Sequence, residues 1–180
     1  MEFKETSLKG AFIIELRPFR DNRGVFARTF CANEFAAHGL RHNMVQSNLS
    51  ITYKKNTIRG MHYQVNGAEE AKLIRCVRGR VLDAIIDIRP NSETFGRHIM
   101  LELDSKSSCL QLLYVPENFA HGFLTLKDKC EVLYQVSNFY SPGKERGIRW
   151  SDPFFGIPWP TDNPIVSDKD ANYPDFRIDK

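Results

Sequence analysis

Two histidines in this chain of 180 residues sit among residues that look like the wall of a cavity. His62 lies in Arg59-Gly60-Met61-His62-Tyr63-Gln64, and His121 in Pro116-Glu117-Asn118-Phe119-Ala120-His121-Gly122-Phe123. An imidazole titrates near neutral pH, so it can move a proton or ligate a metal. The metal reading is short of ligands. His62-Tyr63-Gln64 lacks the second imidazole of a His-x-His pair, and two histidines make a poor zinc or iron site, so no metal is expected. His62 is then either a core histidine with satisfied ring nitrogens or a general base. Its company bears on the choice. Lys72 falls on the same strand face as Ile74 and Cys76, an odd place for an ammonium unless it meets an anion. Tyr134 shares an apolar face with Cys130, Val132 and Val136, where its hydroxyl needs a partner. It is either a core aromatic bonded to backbone or a working phenol. His38, His42 and His98 fall at a helix end or a strand start and are expected on the surface.

The elements that must carry these groups have a dominant period of two. Lys72–Val77, Val81–Ile88, Ile99–Leu103, Leu110–Val115 and Cys130–Val136 are predicted strands, rich in β-branched and apolar residues. Turn signals separate them: Asn66-Gly67, Arg78-Gly79, Pro90-Asn91-Ser92, Lys127-Asp128-Lys129 and Ser141-Pro142-Gly143. One helix is predicted, Ala32 to His38, with Gly39 as its C-terminal stop. Many short strands with frequent turns imply an all-β sandwich or barrel, whose mouth would form a concave pocket. Past Gly147 the chain is broken by prolines with aromatics between, at Trp150-Ser151-Asp152-Pro153 and Ile157-Pro158-Trp159-Pro160. A loop packed over the barrel is expected there, and Ser167-Asp168-Lys169-Asp170 as a helical turn or ordered loop. On a regular strand Arg59 and His62 have opposite parity. If both serve one ligand, the strand needs a bulge, or one of them serves a neighbouring subunit's pocket.

Composition narrows the classes. The chain is 42% hydrophobic and 26% charged, as expected of one globular domain spanning residues 1–180. The net charge of +3 is evenly spread, with no basic stripe, so no nucleic-acid partner is expected. No apolar run approaches the roughly 20 residues of a membrane span. The start, Met1 to Gly10, has no apolar core of a secretion signal. The four cysteines, Cys31, Cys76, Cys109 and Cys130, form no Cys-x-x-Cys pair. Reduced thiols in a cytoplasmic protein are expected.

Several blocks in register give the chain a resemblance that covers nearly its whole length. They are Phe19-Arg20-Asp21-Asn22-Arg23-Gly24, Val45-Gln46-Ser47-Asn48, Ile58 to Gln64, Ala71-Lys72-Leu73-Ile74-Arg75-Cys76, Asp87 to Ser92, Tyr114 to Phe123, Glu145 to Trp150 and Ser167 to Asp170. In these the sequence resembles the dTDP-4-dehydrorhamnose 3,5-epimerase family of nucleotide-sugar epimerases. The resemblance implies a cupin-type double-stranded β-helix, a jelly-roll barrel with short peripheral helices, without cofactor or metal and usually dimeric. It implies catalytic roles for His62 as base, Asp170 as its partner, Lys72 as the cation and Tyr134 as the acid. It places nucleotide diphosphate and sugar against Arg23, Gln46, Asn48, Arg59, His121, Glu145 and Lys169, with Tyr140 as a second aromatic near the ligand. Two further positions of the binding set depart from the family pattern. Arg28 stands where an acidic residue is frequent, and Ser47 where Asp is frequent.

The implied activity is proton removal beside the ketone of an NDP-4-keto-6-deoxyhexose, with inversion at C3 and C5. Such a step asks for a base, an opposed acid and a cation for the enolate oxygen. Inversion at one carbon only, a CDP- or GDP-linked sugar, or a non-catalytic sugar-nucleotide-binding barrel are the alternatives.

Overall fold

The computed structural model describes residues 1–177. Its strands are β1 (Glu2–Glu5), β2 (Phe12–Glu15), β3 (Phe19–Asp21), β4 (Gly24–Phe26), β5 (Gln46–Thr52), β6 (Ile58–Gln64), β7 (Lys72–Arg78), β8 (Arg80–Asp87), β9 (His98–Asp104), β10 (Gln111–Val115), β11 (Phe119–Thr125), β12 (Cys130–Val136) and β13 (Glu145–Gly147). Two short helices accompany them, α1 (Ala32–Ala37) and α2 (Asp168–Ala171). α1 ends one residue earlier than expected, with His38 as its cap and Gly39 at φ +69°, the left-handed stop that glycine adopts freely.

Two antiparallel sheets face each other. The six-stranded sheet has the order β1-β2-β10-β7-β12-β5, and the five-stranded sheet β13-β6-β11-β8-β9. From β5 to β13 the chain alternates between the two sheets except at the β8–β9 hairpin, the arrangement of a double-sheet jelly roll. The predicted alternation explains the layers. Ile74, Cys76, Leu113, Cys130 and Val132 of one sheet meet Val81, Ile85, Leu103, Phe119 and Phe123 of the other, in one buried cluster. The opposite faces have separate covers. Residues 148–166 pack Ile148, Phe155 and Trp159 onto Ile58, Ala84, Ile86, Ala120 and Leu124, as the proline-broken composition predicted. α1 sets Phe35 against Ile14, Leu73, Leu112 and Tyr114. The outer face at β5 and β12 has no such cover, and Leu49, Ile51 and Leu133 remain 53%, 46% and 39% exposed. Among the described residues no helix is long and apolar enough to cross a membrane.

Candidate active site

A cavity of about 550 Å³ opens at the end of the barrel where β7 begins and β5, β6 and β12 run out or in. Eleven of the fourteen residues singled out from sequence line it: His62, Lys72, Tyr134, Asp170, Gln46, Asn48, Arg59, His121, Tyr140, Glu145 and Lys169.

The parity conflict between Arg59 and His62 is resolved by a bulge in β6. Arg59 pairs with Phe123 and His62 with His121, so Gly60 and Met61 together face Gly122 alone. Only glycine fits here. Gly60 has φ +121°, and a Cβ on it would lie 2.6 Å from the Gly122 Cα. A Cβ on Gly122 would lie 2.7 Å from the Arg59 carbonyl oxygen. The extra residue turns Arg59 and His62 into the same cavity, while Met61 is buried on the far side. It also frees the Gly60 N–H, which donates to Asp170 Oδ2 at 3.1 Å.

Asp170 comes from α2, 108 residues away from His62 along the chain. Ser167 caps that helix, its Oγ accepting from the Asp170 N–H at 3.1 Å. His62 Nε2 donates to Asp170 Oδ1 at 2.7 Å, with the carboxylate side chain 6% exposed and the imidazole 30%. Burial pushes the Asp170 carboxyl up, but the imidazole, the Gly60 N–H and Lys169 outweigh it and hold it below the usual range. With Nε2 committed, the imidazole keeps Nδ1 for the cavity.

Lys72 is 7% exposed. Its Nζ donates to the His62 carbonyl oxygen at 3.4 Å and lies 3.3 Å from Glu70 Oε1. Glu70 Oε2 accepts from Gln64 Nε2 at 2.9 Å. The pair keeps a charge in the barrel at the position the apolar face of β7 made conspicuous. Tyr134 lies across β12 from Ile74 of β7, and burial first, then the Glu70 carboxylate, pushes its phenol up, so it stays protonated.

Around this centre, β5 presents Gln46 and Asn48 inward. Gln46 Oε1 accepts from the Tyr140 N–H at 2.6 Å, tying the loop after β12 to the rim. Tyr140 donates its hydroxyl to Glu145 Oε2 at 3.1 Å, and Lys169 pairs with the same oxygen. Burial pushes the Glu145 carboxyl up, yet Lys169 and His62 hold it down. Arg59 donates from Nε to Thr52 Oγ1 at 3.0 Å. His121 Nε2 lies 3.0 Å from Oδ1 and 3.1 Å from Oδ2 of Asp83, which is wholly buried.

Three sequence candidates lie elsewhere. Ser47 alternates with Gln46 and Asn48 on β5, so it points to the exposed outer face and away from the chain's own cavity. Arg23, at the β3–β4 turn, is bound to Asp21 at 2.6 Å in solvent. Arg28 lies 3.8 Å from Glu34, also away from the chain's own cavity. Two carboxylates went unpredicted. Asp83 stands between Val81 and Ile85 on the inward face of β8, and the argument that singled out Lys72 applies to it unchanged. Glu70 lies just before β7, where no periodicity marks it. Among the described residues no group of three or more His, Cys, Asp or Glu side chains could hold a metal. The four cysteines are unpaired.

Known proteins match the chain over nearly its whole length. The family profile described as dTDP-4-dehydrorhamnose 3,5-epimerase matches residues 5–177. The protein of that name from Shigella flexneri is 42% identical over 173 residues, covering 96% of this chain and 94% of the relative. The crystal structure of the Elizabethkingia anophelis protein of that name superposes with a TM-score of 0.93 at 36% identity, covering 98% of this chain and 96% of the other. That of Bacillus anthracis, with TDP and PPi bound, gives 0.92 at 36% identity and covers 97% and 99%. The chain therefore belongs to the dTDP-4-dehydrorhamnose 3,5-epimerase family.

Proposed function

We propose that the protein inverts C3 and C5 of a dTDP-linked 4-keto-6-deoxyhexose. The observation that carries this reading is the meeting of an Asp170-anchored imidazole, a buried ammonium and a protonated phenol in one cavity. A 4-keto group acidifies the C–H bonds on both neighbouring carbons, yet the gap to an imidazolium remains on the order of ten pKa units, roughly 14 kcal/mol. A base alone does not close it. The Lys72 ammonium, held out of water, stabilises the charge that grows on O4. His62 takes the proton at Nδ1, and Asp170 steadies the imidazolium that results. Tyr134 returns a proton to the opposite face of the enolate. Arg59 and Lys169 are the cations for the diphosphate, while Gln46, Asn48, His121, Tyr140 and Glu145 supply the remaining wall. Each step moves only protons, so the chemistry calls for no cofactor.

We read the chain as one catalytic domain that works as a dimer in the cytoplasm, where charged nucleotide sugars are held. The bare face of β5 and β12, with Leu49, Ile51 and Leu133, is an apolar surface suited to a second copy, and the hairpin side chains Phe19 and Phe26, 75% and 72% exposed, are a further apolar pair open to one. β5 is a sheet edge whose inner face is cavity wall. Pairing there would bring one subunit's Arg23 and Arg28 towards the partner's ligand. Light scattering should give twice the 20.8 kDa chain mass, and Leu133→Asp should halve it.

Solvent deuterium tests the activity. The dTDP-ketosugar should gain deuterium at both C3 and C5 with the native protein and at neither with His62→Ala. Absence of exchange, or exchange that survives His62→Ala, overturns the proposal.

A further inference from the structure

Tyr173, just beyond the α2 helix, carries a role that neither the family resemblance nor the cavity lining assigns. β13 pairs with β6 so that Gly147 stands beside His62 in the ladder. A Cβ on Gly147 would lie 2.1 Å from Cε2 and Cζ of Tyr173, far inside contact distance, so that ring packs against the Gly147 main chain. The same ring meets the His62 imidazole edge to face, with centroids 6.2 Å apart and planes at 70°. Tyr173 follows the end of α2 by two residues, and Asp170 lies within α2. One short segment therefore delivers both the carboxylate that holds Nε2 and an aromatic plate against the imidazole. A helix of four residues has no stability of its own, so its place is set by such contacts. Burial pushes the Tyr173 phenol up by more than the nearby Lys169 lowers it, so the ring brings no charge to the site.

We propose that Tyr173 is a positioning residue for the His62–Asp170 pair: seated on the bare backbone of Gly147, its ring fixes the tilt of the imidazole and docks α2 against β6. A histidine ring turns about a broad χ2 torsion, and a base must present one nitrogen at a set angle to a C–H bond. The plate against it removes that freedom. Glycine at position 147 is then a requirement of the base, not of the strand.

This inference rests on His62 being the base, and its test has a readout apart from turnover. The downfield proton NMR signal of the Nε2–H shared with Asp170 should be sharp in the native protein and in Tyr173→Phe, and lost in Tyr173→Ala. In the same variants kcat should fall 10- to 100-fold for Ala, with KM within twofold, and stay within twofold of native for Phe. Gly147→Ala, which pushes the ring away from the other side, should resemble Tyr173→Ala. The double variant, in which the new methyl meets no ring, should be no worse than Tyr173→Ala alone. Tyr173→Leu, which keeps an apolar side chain, should fold and lose the signal too. An unchanged signal or kcat in Tyr173→Ala, or a Phe variant as damaged as the Ala one, overturns the proposal. If the native protein exchanges no deuterium with the ketosugar, the activity reading fails while the proton signal still decides the ring's role.

Discussion

Along one face of β7 the side chains pass from Lys72 at the cavity to Ile74 and Cys76 in the packed interior. β12 shows the same passage, from Val136 and Tyr134 to Val132 and Cys130. The two ends of the barrel share strands, register and alternation, and differ in what fills the space between the sheets. At one end it is filled by hydrocarbon, at the other left open and lined by charge. Stability is expected to reside in the first and chemistry in the second.

The contrast can be broken by exchanging the two behaviours. His62→Ala should lower kcat about a thousandfold, the scale of a general base, and cost about 1–2 kcal/mol of stability because it leaves the buried Asp170 carboxylate short of a partner. Ile74→Ala, at a side chain with no exposure, should cost about 3 kcal/mol in denaturant unfolding and leave kcat of the folded protein within a few-fold. A loss of activity in Ile74→Ala equal to that in His62→Ala would abolish the distinction.

Charge sharpens it further. Asp87 is fully buried, and burial pushes its carboxyl up, but Arg89, Ser92 and Thr94 outweigh this and hold it at about 2. A depressed carboxyl stabilises the fold above its ordinary value near 4 and loses that contribution as pH falls towards 2. Native protein should lose about 2 kcal/mol over this interval, and Asp87→Asn should show a shallower acid limb at equal activity per folded molecule. The smallest expected difference is the most local. Asn48→Ala should raise KM for the nucleotide sugar several-fold, whereas its outward neighbour should leave the monomer's site untouched in Ser47→Ala. Equal effects would mean that the outer face of β5 also meets ligand, across a subunit boundary.

What the sequence made legible follows from period two. β7, β8, β9, β10 and β12 are apolar and long enough to be read as strands, and Lys72 and Tyr134 stood out because each interrupts an apolar face, whereas β5, whose inner face is polar cavity wall, and β11, buried at every residue, were not read. The opposed parities of Arg59 and His62 called for a bulge or a neighbouring subunit's pocket, and Gly60 and Gly122 supply the bulge. β1 to β4 and β13, of three or four residues each, are too short for a periodic signal. Asp170 carries no local mark, since its partner is brought to it only by the closed fold, and family likeness alone pointed to it. Asp83 was legible by the rule applied to Lys72, and Glu70 was not, because a loop has no faces.

The His62–Asp170 pair joins β6 to a four-residue helix 108 residues further along the chain. Every strand of the barrel precedes that helix. During synthesis the strands can therefore pair before the carboxylate has arrived. A nick just before that helix would leave the strands, with the ammonium of Lys72 and the phenol of Tyr134, around a His62 with nothing behind its Nε2.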